Sequence, residues 1–356
     1  MFQHFHHKTN NIQNYYYSIN NGSYTSSTSN THTFSGLNRG TTYSIKVYVK
    51  DTNGVDSGVY TISAETDDAV LLADYIKGLY TSQGSNGLYY HNSSLANGAG
   101  DNSYRYAGAN PNNYVCFGSD AATCPSDNLY RIIGVFGNQV KLIMADYPTT
   151  SQTGTWAAYS DTYSGAGWDT SYYKGDQSAS QIGGYYWNRS NMNTWSSSSL
   201  TKTNLNDTFL NSFSSTWRNK IADATWYVDG YNTWYATPAE FQDAESTGTP
   251  WTGKIGLMYV SDYGFAASQS AWTSDVLSYN SSSITSNNWM YMGLAEWTIS
   301  RHSSATTGAF IVDISGGVSY LNVKVNDVAV RPSFYLESSV SYVSGSGSAT
   351  NPIRIT

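Results

Sequence analysis

A strand with one face in a core and the other in water must alternate apolar and polar residues. Tyr43-Ser44-Ile45-Lys46-Val47-Tyr48-Val49-Lys50-Asp51 does so. Its surroundings extend the pattern. Tyr15-Tyr16-Tyr17-Ser18-Ile19 leads into the turn signal Asn20-Asn21-Gly22, and Thr31-His32-Thr33-Phe34 follows. Asn53-Gly54 turns the chain after the alternating run, and Val59-Tyr60-Thr61-Ile62 returns. Residues 1–66 are therefore expected to be β. Asp51, Asn53 and Asp56 lack the ligand pattern of a calcium loop and are read as a solvated turn.

Beyond residue 66 the period changes. Leu71, Leu72, Tyr75, Ile76 and Leu79 share a helical face, and Asp67 and Asp68 suit a helix N-terminus, which predicts a helix over 67–82. Residues 84–100 are rich in Gly, Asn and Ser and read as a connection that holds the main domain boundary. From 104 the pattern is mixed. Leu129-Tyr130-Arg131-Ile132-Ile133-Gly134-Val135-Phe136 and Val140-Lys141-Leu142-Ile143-Met144 predict a hairpin about Gly137-Asn138. Residues 147–200 read as Ser/Tyr/Gly-rich insertions, and Asn206 as the cap of a helix carrying Phe209, Leu210, Phe213, Trp217 and Ile221. Thr237-Pro238-Ala239-Glu240 is a capping box with Pro at the first helical position. Ile255-Gly256-Leu257-Met258-Tyr259-Val260 predicts a buried strand running into a turn at Ser261-Asp262-Tyr263-Gly264. Ala309-Phe310-Ile311-Val312, Gly317-Val318 and residues 328–336 alternate again. The expected fold class is mixed α+β: a β-segment over 1–66, a helix and linker over 67–103, and a β-rich α+β domain over 104–356.

Charge narrows the function classes. Only 12% of residues are charged, about half the usual share of roughly 25%, so Ser, Thr, Asn, Gly and Tyr must supply the polar surface. Aromatic residues at 15% argue against disorder. Net charge is −7 with no run of Lys or Arg, which speaks against a nucleic-acid partner. No apolar stretch approaches the ~20 residues of a membrane span. The start at Met1-Phe2-Gln3-His4 lacks the pattern of a signal peptide and reads as beginning inside a longer protein. Cys116 and Cys124 have no His near them in sequence, which leaves a disulfide or two free thiols. A disulfide here would contribute roughly 2.5 kcal/mol and would suit an extracytoplasmic protein.

Gly36-Leu37, Gly40-Thr41-Thr42-Tyr43 and Val47-x-Val49 resemble the second half of a fibronectin type III domain over about residues 14–66, with Tyr43 at that family's corner position and the early strands missing, which implies a β-sandwich-like segment. Further along, Leu129-Tyr130-Arg131-Ile132-Ile133-Gly134, Leu205-Asn206 with Phe209-Leu210-Asn211, and Gly256-Leu257-Met258-Tyr259-Val260-Ser261-Asp262-Tyr263-Gly264 occur in order. Trp297-Thr298-Ile299-Ser300 and Val330-Arg331-Pro332-Ser333-Phe334-Tyr335-Leu336 follow. Together, over about 104–337, they resemble a domain family of bacterial surface proteins with no assigned activity, found beside fibronectin-like or immunoglobulin-like modules. The last two motifs, with the capped helix, are also similar to the C-type-lectin-like superfamily. That resemblance implies a secreted or cell-surface, adhesin-like protein that binds an extracellular protein or glycan. The Pro-containing triplet that holds calcium in sugar-binding members is absent, and Asn287-Asn288-Trp289 stands in the wrong order, so no metal or cofactor is expected. Variable proteins of diversity-generating retroelements diversify codons between such a Trp strand and such an Arg-Pro strand. By that resemblance the ligand face would comprise His302, Thr306, Phe310, Ile314, Tyr320, Asn322, Lys324 and Asn326. An ordinary surface hairpin is the alternative.

Motifs for catalysis are missing: no Gly-x-Ser-x-Gly, His-Glu-x-x-His or Gly-rich phosphate loop occurs. The cluster His4, His6 and His7 resembles a tag more than a site. Glu240, Glu245, Asp262 and Glu296 could furnish a glycosidase pair if two of them lay ~5–9 Å apart. Structural roles fit each better, Glu240 as the capping acid, and Arg331 suits a buried brace for backbone carbonyls. The expectation is a binding or structural module and no enzyme. Thirty-two Tyr and 11 Trp with abundant Ser, Gly and Asn resemble the mixture favoured in binding loops.

Overall fold

The computed structural model describes residues 11–38, 40–66, 68–148, 152, 185–325 and 328–356. The chain divides into two units, Met1–Ala69 and Val70–Thr356.

In the first unit β1 (Ile12–Ile19), β2 (Thr25–Ser27), β3 (Thr42–Asp51) and β4 (Tyr60–Glu65) form an antiparallel sheet in the order β2-β1-β3-β4. The register Tyr15↔Val49, Tyr17↔Val47, Ile19↔Ile45 and Ile45↔Ile62 gathers the apolar positions on one face, as the period of two demands. Asn20 and Asn21 make the predicted turn at φ 47° and 60°, a conformation that Asn tolerates. Thr31-His32-Thr33-Phe34 does not extend the sheet. The His32 ring instead stacks on Tyr17 at 4.8 Å, and Phe34 packs edge-on against His32. The Tyr43 hydroxyl accepts from Asn38 N at 2.8 Å, and Asp51 Oδ1 accepts from the Asn53 and Val55 amides, which closes the turn with Asp51 buried and, of the three, only Asn53 and Asp56 exposed to solvent as expected.

The second unit starts earlier than the composition suggests. Val70 and Leu71 are extended and bonded to the C-terminal segment, with Tyr342 N donating to Val70 O at 2.8 Å and Leu72 N to Val340 O at 2.9 Å. Helix α1 (Leu72–Gly78) is therefore shorter than 67–82. Asp68 precedes it, and Asp67 lies outside the described residues. Leu72, Ala73 and Ile76 of α1 enter the core, and β5 (Leu88–Tyr90) pairs with β6 (Tyr104–Tyr106). Residues 70–103, expected as helix and linker, thus contribute elements to the second unit, and the division falls at Ala69 rather than within 84–100.

The largest sheet contains β5, β6, β7 (Tyr114–Cys116), β8 (Leu129–Phe136), β9 (Gln139–Met144), β12 (Ile255–Gly256) and β16 (Ser333–Tyr335). β8 and β9 are the predicted hairpin, and β16 pairs with β9. Gly134 is required where β6 crosses, because a Cβ there would lie 2.3 Å from Tyr104 O. Smaller sheets are β10 (Ala224–Tyr227) with β11 (Pro250–Gly253), β13 (Glu296–Arg301) with β14 (Gly308–Val312) and β15 (Val318–Asn322), and β17 (Tyr342–Ser344) with β18 (Arg354–Ile355). The fold is β-rich with mixed α+β character. Trp187, Trp195, Trp226, Trp272 and Trp297 are fully buried, so Trp is here largely a core residue. Cys116 and Cys124 are joined in a disulfide.

Two local expectations yield to tertiary contacts. Asn206 lies inside a π-helical segment, Leu200–Phe209, and does not cap a helix. Its side chain binds the backbone of Ile255, accepting from N at 3.0 Å and donating to O at 2.9 Å. The strand predicted through Val260 ends at Gly256, and Val260–Ala266 is helix α3. Its freed amides find acids: Glu245 Oε1 accepts from Val260 N and Asp262 Oδ2 from Tyr259 N. The capping box forms as predicted at the start of α2 (Pro238–Ser246).

Candidate functional site

The sheet β13-β14-β15 carries most of the segment singled out by sequence, and its register sorts those residues. Gly308 pairs with Asn322 and Phe310 with Tyr320, so loop 302–307, Asn322 and Lys324 share one end of the sheet. Ile314 sits in the β14–β15 turn at the other end, 67% exposed. It lies at the end of the sheet opposite His302. Phe310 is fully buried, packed edge-on against Phe241 of α2 at 5.0 Å, and is a core residue rather than a ligand contact. Asn326 lies outside the described residues, as do His4, His6 and His7.

What remains together is His302, Thr306, Tyr320, Asn322 and Lys324. His302 is buried: its Nδ1 accepts from the Ser304 and Ala305 amides at 3.2 and 3.1 Å, and its ring meets Tyr320 at 4.5 Å. Burial lowers its pKa, so the imidazole stays neutral and holds the loop. Thr306, Asn322 and Lys324 are exposed, and Tyr320 is half-buried.

Other residues complete the rim. The Trp234 ring lies 5.1 Å from Tyr320 and 5.8 Å from Tyr235, and Tyr235 is 66% exposed. Tyr231 packs on Phe241 at 6.0 Å, and its carbonyl accepts from Ser303 N. Gly230 permits this approach, since a Cβ there would lie 2.8 Å from Arg301 O and 3.1 Å from the Phe310 ring. Asp229 pairs with Arg301 and accepts from Thr249 N at 2.8 Å, tying the 229–235 segment to β13.

Asn193 fixes the loop from beneath. Its buried Nδ2 donates to the carbonyls of His302, Ala305 and Gly308 at 2.9, 2.9 and 3.0 Å, while its backbone N donates to Thr306 O at 2.7 Å. Tyr231, Trp234, Tyr235 and Asn193 were not anticipated. Gly230-Tyr231-Asn232-Thr233-Trp234-Tyr235, directly before the capping box, carries the Tyr/Trp/Asn/Gly mixture of a binding loop and could have been found. Asn193 had no local signal, because its acceptors lie 109 to 115 residues away.

The acidic candidates are elsewhere. Glu240 is the capping acid, accepting from Thr237 N at 2.8 Å. Glu245, Asp262 and Glu296 are each buried. Glu296 pairs with Arg331 at 2.8 Å, and Arg331 also donates to Met290 O at 2.7 Å, so it holds a carboxylate and one carbonyl where several carbonyls were expected. Burial pushes the Glu245 carboxyl up to about 7. Among the described residues no cluster of His, Cys, Asp and Glu could hold a metal ion, and no helix is long and apolar enough to cross a membrane. Compared with known protein families, curated proteins and solved structures, the chain matches none.

Proposed function

We propose that the rim formed by Tyr231, Trp234, Tyr235, Thr306, Tyr320, Asn322 and Lys324 is the ligand-binding face of a secreted or cell-surface, adhesin-like protein, and that its ligand is an extracellular protein or glycan. One observation carries this reading. An aromatic strip of Trp234, Tyr235 and Tyr320 borders a loop held by four hydrogen bonds from Asn193. Aromatic rings give contact area at little entropic cost, and a loop fixed beforehand does not lose that order on binding. The disulfide supports an extracytoplasmic location. The four-stranded first unit, with the Tyr43 hydroxyl bonded to the chain upstream, supports a fibronectin-like spacer.

The test is a glycan array and a pull-down from host extracellular proteins. Trp234→Ala with Tyr320→Ala should weaken any ligand found by about 2 kcal/mol or more, roughly thirtyfold. Undiminished binding by the double variant moves the site elsewhere, and turnover of a glycan abolished by one acidic substitution makes the protein an enzyme.

A further inference from the structure

Lys141 on β9 and Asp262 on α3 are separated by 121 residues in sequence, yet Nζ lies 2.5 Å from Oδ2. The two side chains are 0% and 1% exposed. Around Nζ stand the rings of Tyr259 at 4.2 Å, Trp226 at 5.0 Å and Tyr335 at 5.2 Å. An ammonium in such a place loses its hydration and gains one carboxylate, an arrangement whose desolvation cost rivals its Coulombic gain. Two further groups complete the cluster. Arg105 reaches Asp262 Oδ1 at 3.4 Å while held by Asp101 at 2.5 Å. Glu245 lies against the first turn of α3, its Oε1 taking the Val260 amide and its buried Oε2 without a hydrogen-bond partner.

We propose that Lys141 and Asp262 are joined by an intramolecular amide, Nζ to Cγ, formed within the folded chain with loss of one water. The short hydrogen bond first passes a proton from Nζ to the carboxylate, leaving a neutral amine and a neutral acid. Burial favours this, since desolvation lowers the Lys141 pKa. The nitrogen lone pair then adds to Cγ. Negative charge on the second carboxyl oxygen falls near the Arg105 guanidinium, which stabilises it. The C–O bond to the protonated oxygen breaks, and that oxygen leaves as water. The second proton of that water comes from the nitrogen on the same tetrahedral carbon, which keeps one hydrogen as the amide N–H. No oxidant or cofactor is consumed.

The charges balance before and after. Two cations, Arg105 and Lys141, face two anions, Asp101 and Asp262; the amide removes one of each and leaves Arg105 paired with Asp101. Fixed contact replaces a bimolecular encounter, as in well-oriented intramolecular reactions.

The test is the intact mass of the full chain, purified folded, then reduced and denatured. The expected mass is one water below that of the sequence, with a branched proteolytic fragment joining the peptides of Lys141 and Asp262. Lys141→Arg keeps the cation but cannot form this amide and should restore the full mass. A folded wild type at full sequence mass overturns the proposal, and so does a one-water loss that persists in Lys141→Arg. Should that variant not fold, the branched fragment in the wild type decides alone.

Discussion

The interior of the second unit and its rim are built from opposite materials. Inside, Arg105, Lys141 and Asp262 are buried together, with Asp101 reaching Arg105 from the surface, and Glu296 pairs with Arg331, in a chain with few charged residues to distribute. At the rim stand Tyr231, Trp234, Tyr235 and Tyr320 with Thr306, Asn322 and a single ammonium, Lys324. Charge placed inside is costly unless paired. Aromatic rings placed outside tolerate many neighbours. The interior sets geometry, and the rim is the face proposed for contact.

That contrast can be broken by experiment. The largest effect is expected from Arg331→Leu, which leaves Glu296 buried and unpaired and should cost about 3–5 kcal/mol in denaturant unfolding. A cost near zero would mean the inner ion pairs set nothing. Glu245 comes next. Burial raises its pKa from 4.5 to about 7, so the folded state holds its proton more tightly than the unfolded chain does. Its contribution is complete below about pH 4.5 and is lost as pH rises through about 7, roughly 3 kcal/mol in all. Glu245→Gln should flatten the fall in stability between pH 5 and 8, measured by urea unfolding at each pH. Asn193→Ala removes one donor from each of three carbonyls, of which Ala305 O and Gly308 O keep the amides of Gly308 and His302, and should cost about 2 kcal/mol, with faster hydrogen exchange in that loop. Thr237→Ala removes the cap of α2 at about 1 kcal/mol. Tyr235→Ala should alter thermal stability by less than about 0.5 kcal/mol, the behaviour of a side chain kept for contact rather than packing. A large loss there would make the rim part of the core and erase the contrast.

Parts of this were legible in advance. The alternation of residues 43–51 is β3, the Leu129–Phe136 run and its partner are β8 and β9, and Thr237-Pro238-Ala239-Glu240 opens α2. Of the residues assigned to the face, His302, Thr306, Tyr320, Asn322 and Lys324 lie together at one end of the β13-β14-β15 sheet. Phe310 and Ile314 were misplaced for different reasons. Phe310 is apolar on a strand, and only α2 arriving with Phe241 decides which face is covered. Ile314 belongs to the same segment but to the opposite turn, which strand register alone reveals. Helix α1 was drawn too long because the apolar spacing of Leu71 continues a helical face, whereas its backbone is taken by the C-terminal segment.

By itself the sequence determined what depends on neighbours a few residues apart: strand alternation, Asn and Gly turns, the capping box, and a pair of cysteines near enough to join. Only the tertiary structure decided that Val260 begins a helix, that Asn193 holds a loop more than a hundred residues away, and that Lys141 meets Asp262. The reason is that a buried polar group must be satisfied wherever the fold brings a partner. Local periodicity says which face is apolar but not what will lie against it.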